Sequence, residues 1–396
     1  MRQNIVLKTT SPVHIGGKTQ ELTPLEQVVF NGYCYVISEA RLGRALLKKN
    51  KLDALSLEIG RQGRRFNLED FLRSMRLLSE NFLNSNADYH CTTEITRTPL
   101  RMRPFVRDAF SRPFIPGSSI KGAIRTAVLY GILKRMKEES PGEFERIFIK
   151  VVEQKLREFN NADDRIRTKP WFKDKTKRSM AGRIETELLQ QFDLPVPGST
   201  AKRGPTWQQK DFMRVLKVSD TAAIEKDALA LVEVQVVSLT GEQDTYLKTP
   251  IYVEIILPNT ELQFSVTLDE KILKDFSKSA GELVPFRTLD ELFAMVSDFA
   301  SDIWQFEKDY WDRIFGPGTM EMRAFYSSNA AGLRLGWGSG LSGASLLMLL
   351  PQELRRAVRD ALFEPRGQFA FPKSRRAVMD GDIPRWPLGW AVLGIQ

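Results

Sequence analysis

The chain has 396 residues, 42% hydrophobic and 27% charged, with 58 Lys+Arg against 49 Asp+Glu for a formal net charge of +9. That length suits two domains or one heavily inserted one, and the basic balance suits a polyanionic partner without requiring one. Cys34 and Cys91 are the two cysteines and make no disulfide framework. No apolar run approaches membrane-spanning length, so a soluble, cytoplasmic, reduced protein with no membrane partner is expected.

Residues 5–8 and 13–15 read as extended segments closed by Gly16-Gly17-Lys18. A glycine pair followed by a lysine suits either a phosphate cradle or a plain hairpin turn. Asn31-Gly32, between Val28-Val29-Phe30 and Tyr33-Cys34-Tyr35-Val36, predicts a type I′ hairpin. Amphipathic helices follow, one from residue 38 or 39 and one from Asn67 to Asn81, as an insertion packed on the sheet. His90-Cys91 has no partner at ligand spacing, so a structural role is expected there.

Between Arg97 and Arg112 the chain is basic and partly extended, and it leads to Pro116-Gly117. Ser118 or Ser119 is then expected to cap a helix, with Ile120, Ile124, Val128 and Ile132 on one face and Lys121 and Arg125 on another. Free amides at a helix start attract anions. Gly122 admits a close approach at a helix-propensity cost of about 1 kcal/mol. This combination reads as a phosphate grip, and the alternative is a surface helix with two solvated cations.

Residues 155–183 are the most basic region, with Arg165, Arg167, Lys169, Lys173, Lys175, Lys177 and Arg178 around Trp171 and Phe172. They suit either a base-stacking surface or a solvated loop. A Pro/Gly/Ser-rich stretch at 193–204 marks the expected boundary between regions 1–200 and 201–396. Period-2 patterning then predicts strands at 229–239, 251–257 and 262–268, with a turn at Pro258-Asn259. A long amphipathic helix is predicted over 289–314, and its aromatic stripe reads as core.

Arg334 precedes Gly336-Trp337-Gly338-Ser339-Gly340, a loop whose glycines permit close backbone approach while Arg334 and Trp337 offer charge and a stacking face. It lacks the Gly-Lys-Ser/Thr ending of a Walker A loop, and no cofactor is expected. Lys373, Arg375 and Arg376 form a last basic loop before a final strand over 387–392.

In combination, the run from Ile115 to Arg125 resembles the hallmark of the RAMP superfamily of CRISPR effector proteins, and the loop at 336–340 resembles that superfamily's glycine-rich loop. Ser11-Pro12-Val13-His14-Ile15-Gly16, Pro372-Lys373-Ser374-Arg375-Arg376 and Pro387-Leu388-Gly389-Trp390 narrow the resemblance to the fifth-subunit family of type III-A Csm complexes. The resemblance implies an α+β fold of ferredoxin-like (RRM-type) RAMP modules with helical insertions, the glycine-rich loop lying in the C-terminal one. It implies a non-catalytic subunit that caps the 3′ end of the CRISPR RNA (crRNA) and supports crRNA maturation and antiviral defence. The implied partners are crRNA, other Csm subunits (above all the RAMP backbone subunit) and host nucleases that trim the crRNA.

From the resemblance and the motifs together, the expected RNA-binding set is His14, Gly16, Gly17, Lys18, Ser118, Ser119, Lys121, Gly122, Arg125, Arg334, Gly336, Trp337, Gly338, Ser339, Gly340, Lys373, Arg375 and Arg376. A metal-free ribonuclease would need a base such as His14, with Lys18, Lys121 or Tyr35 as helpers. A metal-dependent one would need clustered carboxylates. Asp163-Asp164 reads as local charge balance and Asp220 as a turn residue, so no catalytic or metal site is assigned. Two alternatives stand beside the binding reading: a metal-independent crRNA-processing endoribonuclease, and a structural adaptor that recruits a nuclease.

Overall fold

The structure is a computed structural model that describes residues 1–17, 21–192, 207–239, 245–247, 249–280, 284–341, 343, 345–363 and 372–395. Its organising strand is β1 (Arg2–Thr9), in which Ile5, Leu7 and Thr9 are buried in period-2 alternation. Five further elements complete one circuit with it: α1 (Gly117–Glu139), β2 (Leu216–Val218), β3 (Glu261–Leu268), α2 (Leu289–Arg313) and β4 (Trp390–Ile395). β1 pairs antiparallel with β3 on one side and β4 on the other, and β3 pairs antiparallel with β2. The order β4-β1-β3-β2 with two crossover helices is the ferredoxin-like βαββαβ arrangement. Leu333–Arg334 adds a short fifth strand beside β4.

α1 and α2 pack on each other. Tyr130 donates to Asp302 Oδ2 at 2.8 Å, and its ring lies 4.8 Å from that of Phe299. The circuit spans nearly the whole chain because its second strand begins at Leu216 and its last at Trp390.

The second sheet has nine strands among the described residues and a different order. Ile383–Pro387, Ser374–Asp380, Leu229–Leu239, Ala87–Thr93, Tyr33–Ile37 and Gln27–Phe30 follow one another across it. Ile251–Ile256 also pairs with Leu229–Leu239. Each sheet takes strands from both sides of residue 200. The expected ferredoxin-like modules therefore become one complete circuit and one mixed sheet, and residues 193–204 lie outside the described residues.

Asn31 and Gly32 take φ values of 48° and 78°, as a type I′ turn requires. The helical insertion (Glu39–Lys48, Leu52–Gln62, Leu68–Ser74 and Glu80–Asn86) has its own apolar cluster around Leu46, Leu68 and Leu72. Asn67 caps only the third of these, through a 2.8 Å bond from the Glu69 N–H, and Ser79 caps the fourth. Cys34 and Cys91 face each other across adjacent strands as buried free thiols.

Region 155–183 is helical, not a loop: Lys150–Asn160, Asp164–Arg167 and Pro170–Leu189 cover most of it. Phe172 stacks on Phe159 at 5.6 Å, Lys173 is buried, and Lys155, Arg167, Lys177 and Arg183 pair with nearby acids along the chain. Its charge decorates packed helices. Trp171 remains exposed.

Candidate nucleic-acid interface

The start of α1 is occupied by the chain's own groups. Pro116 holds the N-cap position, so neither Ser118 nor Ser119 does. The Gly117 N–H donates to Asp220 Oδ1 at 2.7 Å. A Cβ at Gly117 would lie 2.3 Å from Val218 O and 2.6 Å from Ser219 O, so glycine is needed for the end of β2 to reach the helix. Asp220 thus supplies the negative charge that the helix start favours.

Lys121 Nζ donates to Leu216 O at 2.6 Å, and burial holds its pKa below the ordinary lysine range. Arg125 forks onto Asp211 at 2.9 and 2.8 Å and also reaches Glu185 Oε2 at 3.0 and 2.6 Å. Both cations of the expected phosphate grip are therefore engaged within the chain, as side-chain anchors of α1. Gly122 is exposed with open space above it. Replacing Asp220 by alanine is expected to cost about 1 kcal/mol in chemical denaturation, with partial recovery in Asp220→Asn. An unchanged midpoint for the alanine variant would refute the capping role.

The glycine-rich loop is shaped by contacts to the chain itself. Gly336, Gly338 and Gly340 have φ of 71°, 91° and 74°. A Cβ on Gly336 would fall 2.2 Å from His14 O, which accepts the Trp337 N–H at 2.8 Å. Beneath the loop, Glu307 is fully buried between two buried arginines. Its Oε2 lies 2.7 Å from Arg375 Nε and 3.6 Å from Arg334 Nη1. Arg334 also donates to Leu388 O at 3.3 Å and Gly338 O at 3.5 Å, and Arg375 lies 3.8 Å above the Tyr310 ring. Arg334 and Arg375 are accordingly the loop's internal support, which corrects their expected exposure to RNA. Lys373 is half-buried, and its carbonyl accepts from Tyr310 at 3.3 Å.

The groups left at the surface converge on Trp337, which is half-buried. Two guanidiniums lie over its ring, Arg376 at 4.5 Å and Arg103 at 4.9 Å from the centroid. Arg103 pairs with Glu21 at 2.9 Å. Arg376 has no carboxylate partner among the described residues, and its Nε is buried without a hydrogen bond. Burial and the like charge of Arg103 lower its pKa. An anion at this point would relieve both effects.

The His14 ring meets Trp337 edge-on at 5.9 Å and Phe105 at 6.1 Å. Its Nδ1 lies 2.6 Å from Glu254 O; because a carbonyl only accepts, Nδ1 carries the proton. Burial lowers the His14 pKa to about 4; the Glu254 carbonyl opposes that effect and Arg103 adds to it. Exposed Gly16 adjoins the imidazole and bridges to Phe105, and exposed Gly17 follows it in the chain. Lys18 lies outside the described residues.

Behind this face, the fully buried Glu254 carboxylate accepts from Arg107, from the Phe105 N–H at 2.8 Å and from Tyr89 at 3.4 Å. Burial raises its pKa, against the pull of Arg107. The structure thus unites His14, Gly16, Gly17, Gly336, Trp337 and Arg376, and adds Arg103, Arg107 and Glu254. The sequence signal for Glu254 is a single carboxylate inside the apolar strand Ile251–Ile256, where a buried charge requires a partner.

Comparison with known proteins gives a consistent result. The family model described as the RAMP superfamily matches residues 6–339. A Csm5 protein of a Streptococcus thermophilus CRISPR system is 24% identical over 290 residues, covering 69% of this chain and 67% of that protein. A chain in the cryo-EM structure of a Csm–crRNA–target RNA ternary complex of a type III-A CRISPR-Cas system superposes with a TM-score of 0.67. The identity is 25%, with complete coverage of both chains. The crystal structure of T. onnurineus Csm5 gives a TM-score of 0.62 at 25% identity, covering 98% of this chain and 99% of that one. With its ferredoxin-like circuit, its glycine-rich loop and a family match over most of its length, this chain belongs to the RAMP superfamily and is Csm5-like within it.

Proposed function

We propose that this chain is a non-catalytic crRNA-binding subunit of a type III-A Csm complex, placed at the 3′ end of the guide and supporting crRNA maturation. The observation that carries the reading is Arg376, a guanidinium without an acid partner among the described residues, set over Trp337 beside Arg103 and two exposed glycines. Cations beside a half-open aromatic ring and a glycine turn suit a single-stranded phosphate backbone with an adjoining base. Full-length similarity to a chain of a Csm–crRNA–target RNA complex supports the assembly and the RNA partner. Host nucleases enter as partners that trim the crRNA this subunit holds.

Binding is favoured over cleavage by the character of His14. A general base works best with a pKa near the operating pH, whereas this imidazole is held near 4. Arg376→Ala is expected to weaken binding of a short single-stranded RNA at low salt and to flatten the log Kd against log salt slope by about 0.7, the value for one lost phosphate contact. Affinity and slope both equal to wild type would overturn the phosphate role and favour a structural adaptor.

A further inference from the structure

The interface contains a polar atom that phosphate binding does not use. With its proton fixed on Nδ1 by Glu254 O, the His14 imidazole presents a lone pair at Nε2. That nitrogen makes no hydrogen bond among the described residues. Its neighbour is Gly16, which is exposed; the imidazole itself is almost wholly buried, and a Cβ on Gly16 would lie 3.4 Å from Nε2, so a side chain there would cover the nitrogen. Trp337 meets the same imidazole edge-on at 5.9 Å, with Arg376 and Arg103 over its ring. An acceptor with no proton to give therefore sits beside two cations.

A phosphate oxygen is itself an acceptor and gains nothing from such a nitrogen. A hydroxyl does, and in a nucleic-acid backbone the available hydroxyl is the ribose 2′-OH, which DNA lacks. Resting on the reading of this face as an RNA interface, we infer that His14 Nε2 accepts the 2′-hydroxyl of one nucleotide whose phosphate lies at Arg376 and Arg103, and so selects RNA over DNA. The cations supply affinity for either polymer, and His14 supplies the discrimination.

The test uses the full chain with a labelled short single-stranded RNA of mixed sequence and DNA of the same sequence at one salt concentration. Wild type is expected to prefer RNA. His14→Phe, which keeps a ring but has no acceptor, should lower the ratio of RNA to DNA affinity by about three- to tenfold, the usual worth of one hydrogen bond. Gly16→Val should do the same by covering Nε2. Gly16 is exposed with no left-handed φ, so the fold tolerates that change even if His14→Phe does not.

RNAs with single 2′-deoxy substitutions should reveal one position whose loss matches that of His14→Phe and is absent in the variants. An unchanged RNA/DNA ratio in both variants, or equal weakening of RNA and DNA, overturns the assignment. Loss that follows base identity instead would transfer Nε2 to a base amine and overturns it too. If Arg376→Ala leaves both polymers unaffected, it is the interface reading that fails.

Discussion

Glu307→Gln is expected to lower the unfolding free energy by about 3–5 kcal/mol, the usual cost of removing one partner from a buried ion cluster. The magnitude follows from the arrangement. Both guanidiniums facing Glu307 are almost wholly buried, and Glu307 is the carboxylate they share among the described residues. Burial opposes the Arg375 charge; Glu307 and Tyr310 outweigh it and hold its pKa above the ordinary value. Glutamine keeps the shape and loses the charge, leaving two cations in a low-dielectric interior. The consequence extends to the interface, because Arg334 also holds the Gly338 carbonyl and therefore the turn that carries Trp337. A urea midpoint that shifts by less than the equivalent of about 1 kcal/mol at constant m would refute the cluster's role. RNA affinity is expected to fall with stability in this variant.

Local features of the fold were legible in the sequence where the chemistry is local. Asn31-Gly32 specifies positive φ at two successive residues and forms the predicted hairpin. The periodicities at 229–239 and 289–314 became Leu229–Leu239 and Leu289–Arg313. The circuit that joins β1 to β4 was not legible from patterning, because its register links Lys8 to Val392 and nothing local encodes so distant a pairing. The region 155–183 was obscured by its charges, of which Lys155, Arg167, Lys177 and Arg183 pair with acids three or four residues away along helices.

The candidate site shows the same division. Lys121, Arg125, Arg334, Arg375 and Arg376 look alike in a sequence as cations near glycines. Four are anchored by acceptors supplied from other parts of the fold, namely Leu216 O, Asp211 with Glu185, and Glu307. The packed structure distinguishes Arg376, which makes no ion pair among the described residues and lies over the Trp337 ring. The resemblance pointed to these loops, and tertiary pairing decided which of these five cations is left without an acid partner or a carbonyl acceptor among the described residues.

Acid should destabilise the chain through His14, and the sign follows from the direction of its shift. The folded-state pKa of about 4 lies below the unfolded value near 6.5, so between the two the unfolded chain binds the extra proton. The contribution of His14 to stability is complete at neutral pH and falls as the pH drops through that window. At about 1.4 kcal/mol per pH unit, the loss reaches about 2 kcal/mol at pH 5 and about 3 kcal/mol at pH 4. Glu254 acts in the opposite sense: burial raises its pKa, so protonation favours the folded state as the pH falls.

Comparing wild type with His14→Phe separates the two groups, because Glu254 is common to both. The difference in unfolding free energy between them should shrink or reverse in favour of phenylalanine by about 2 kcal/mol between pH 7 and pH 5. Parallel stability curves over that range would mean that the imidazole takes up its proton in the folded state as readily as in water. In that case burial would not keep the imidazole neutral as the pH falls, and Nε2 would carry a proton there in place of the lone pair on which RNA discrimination depends.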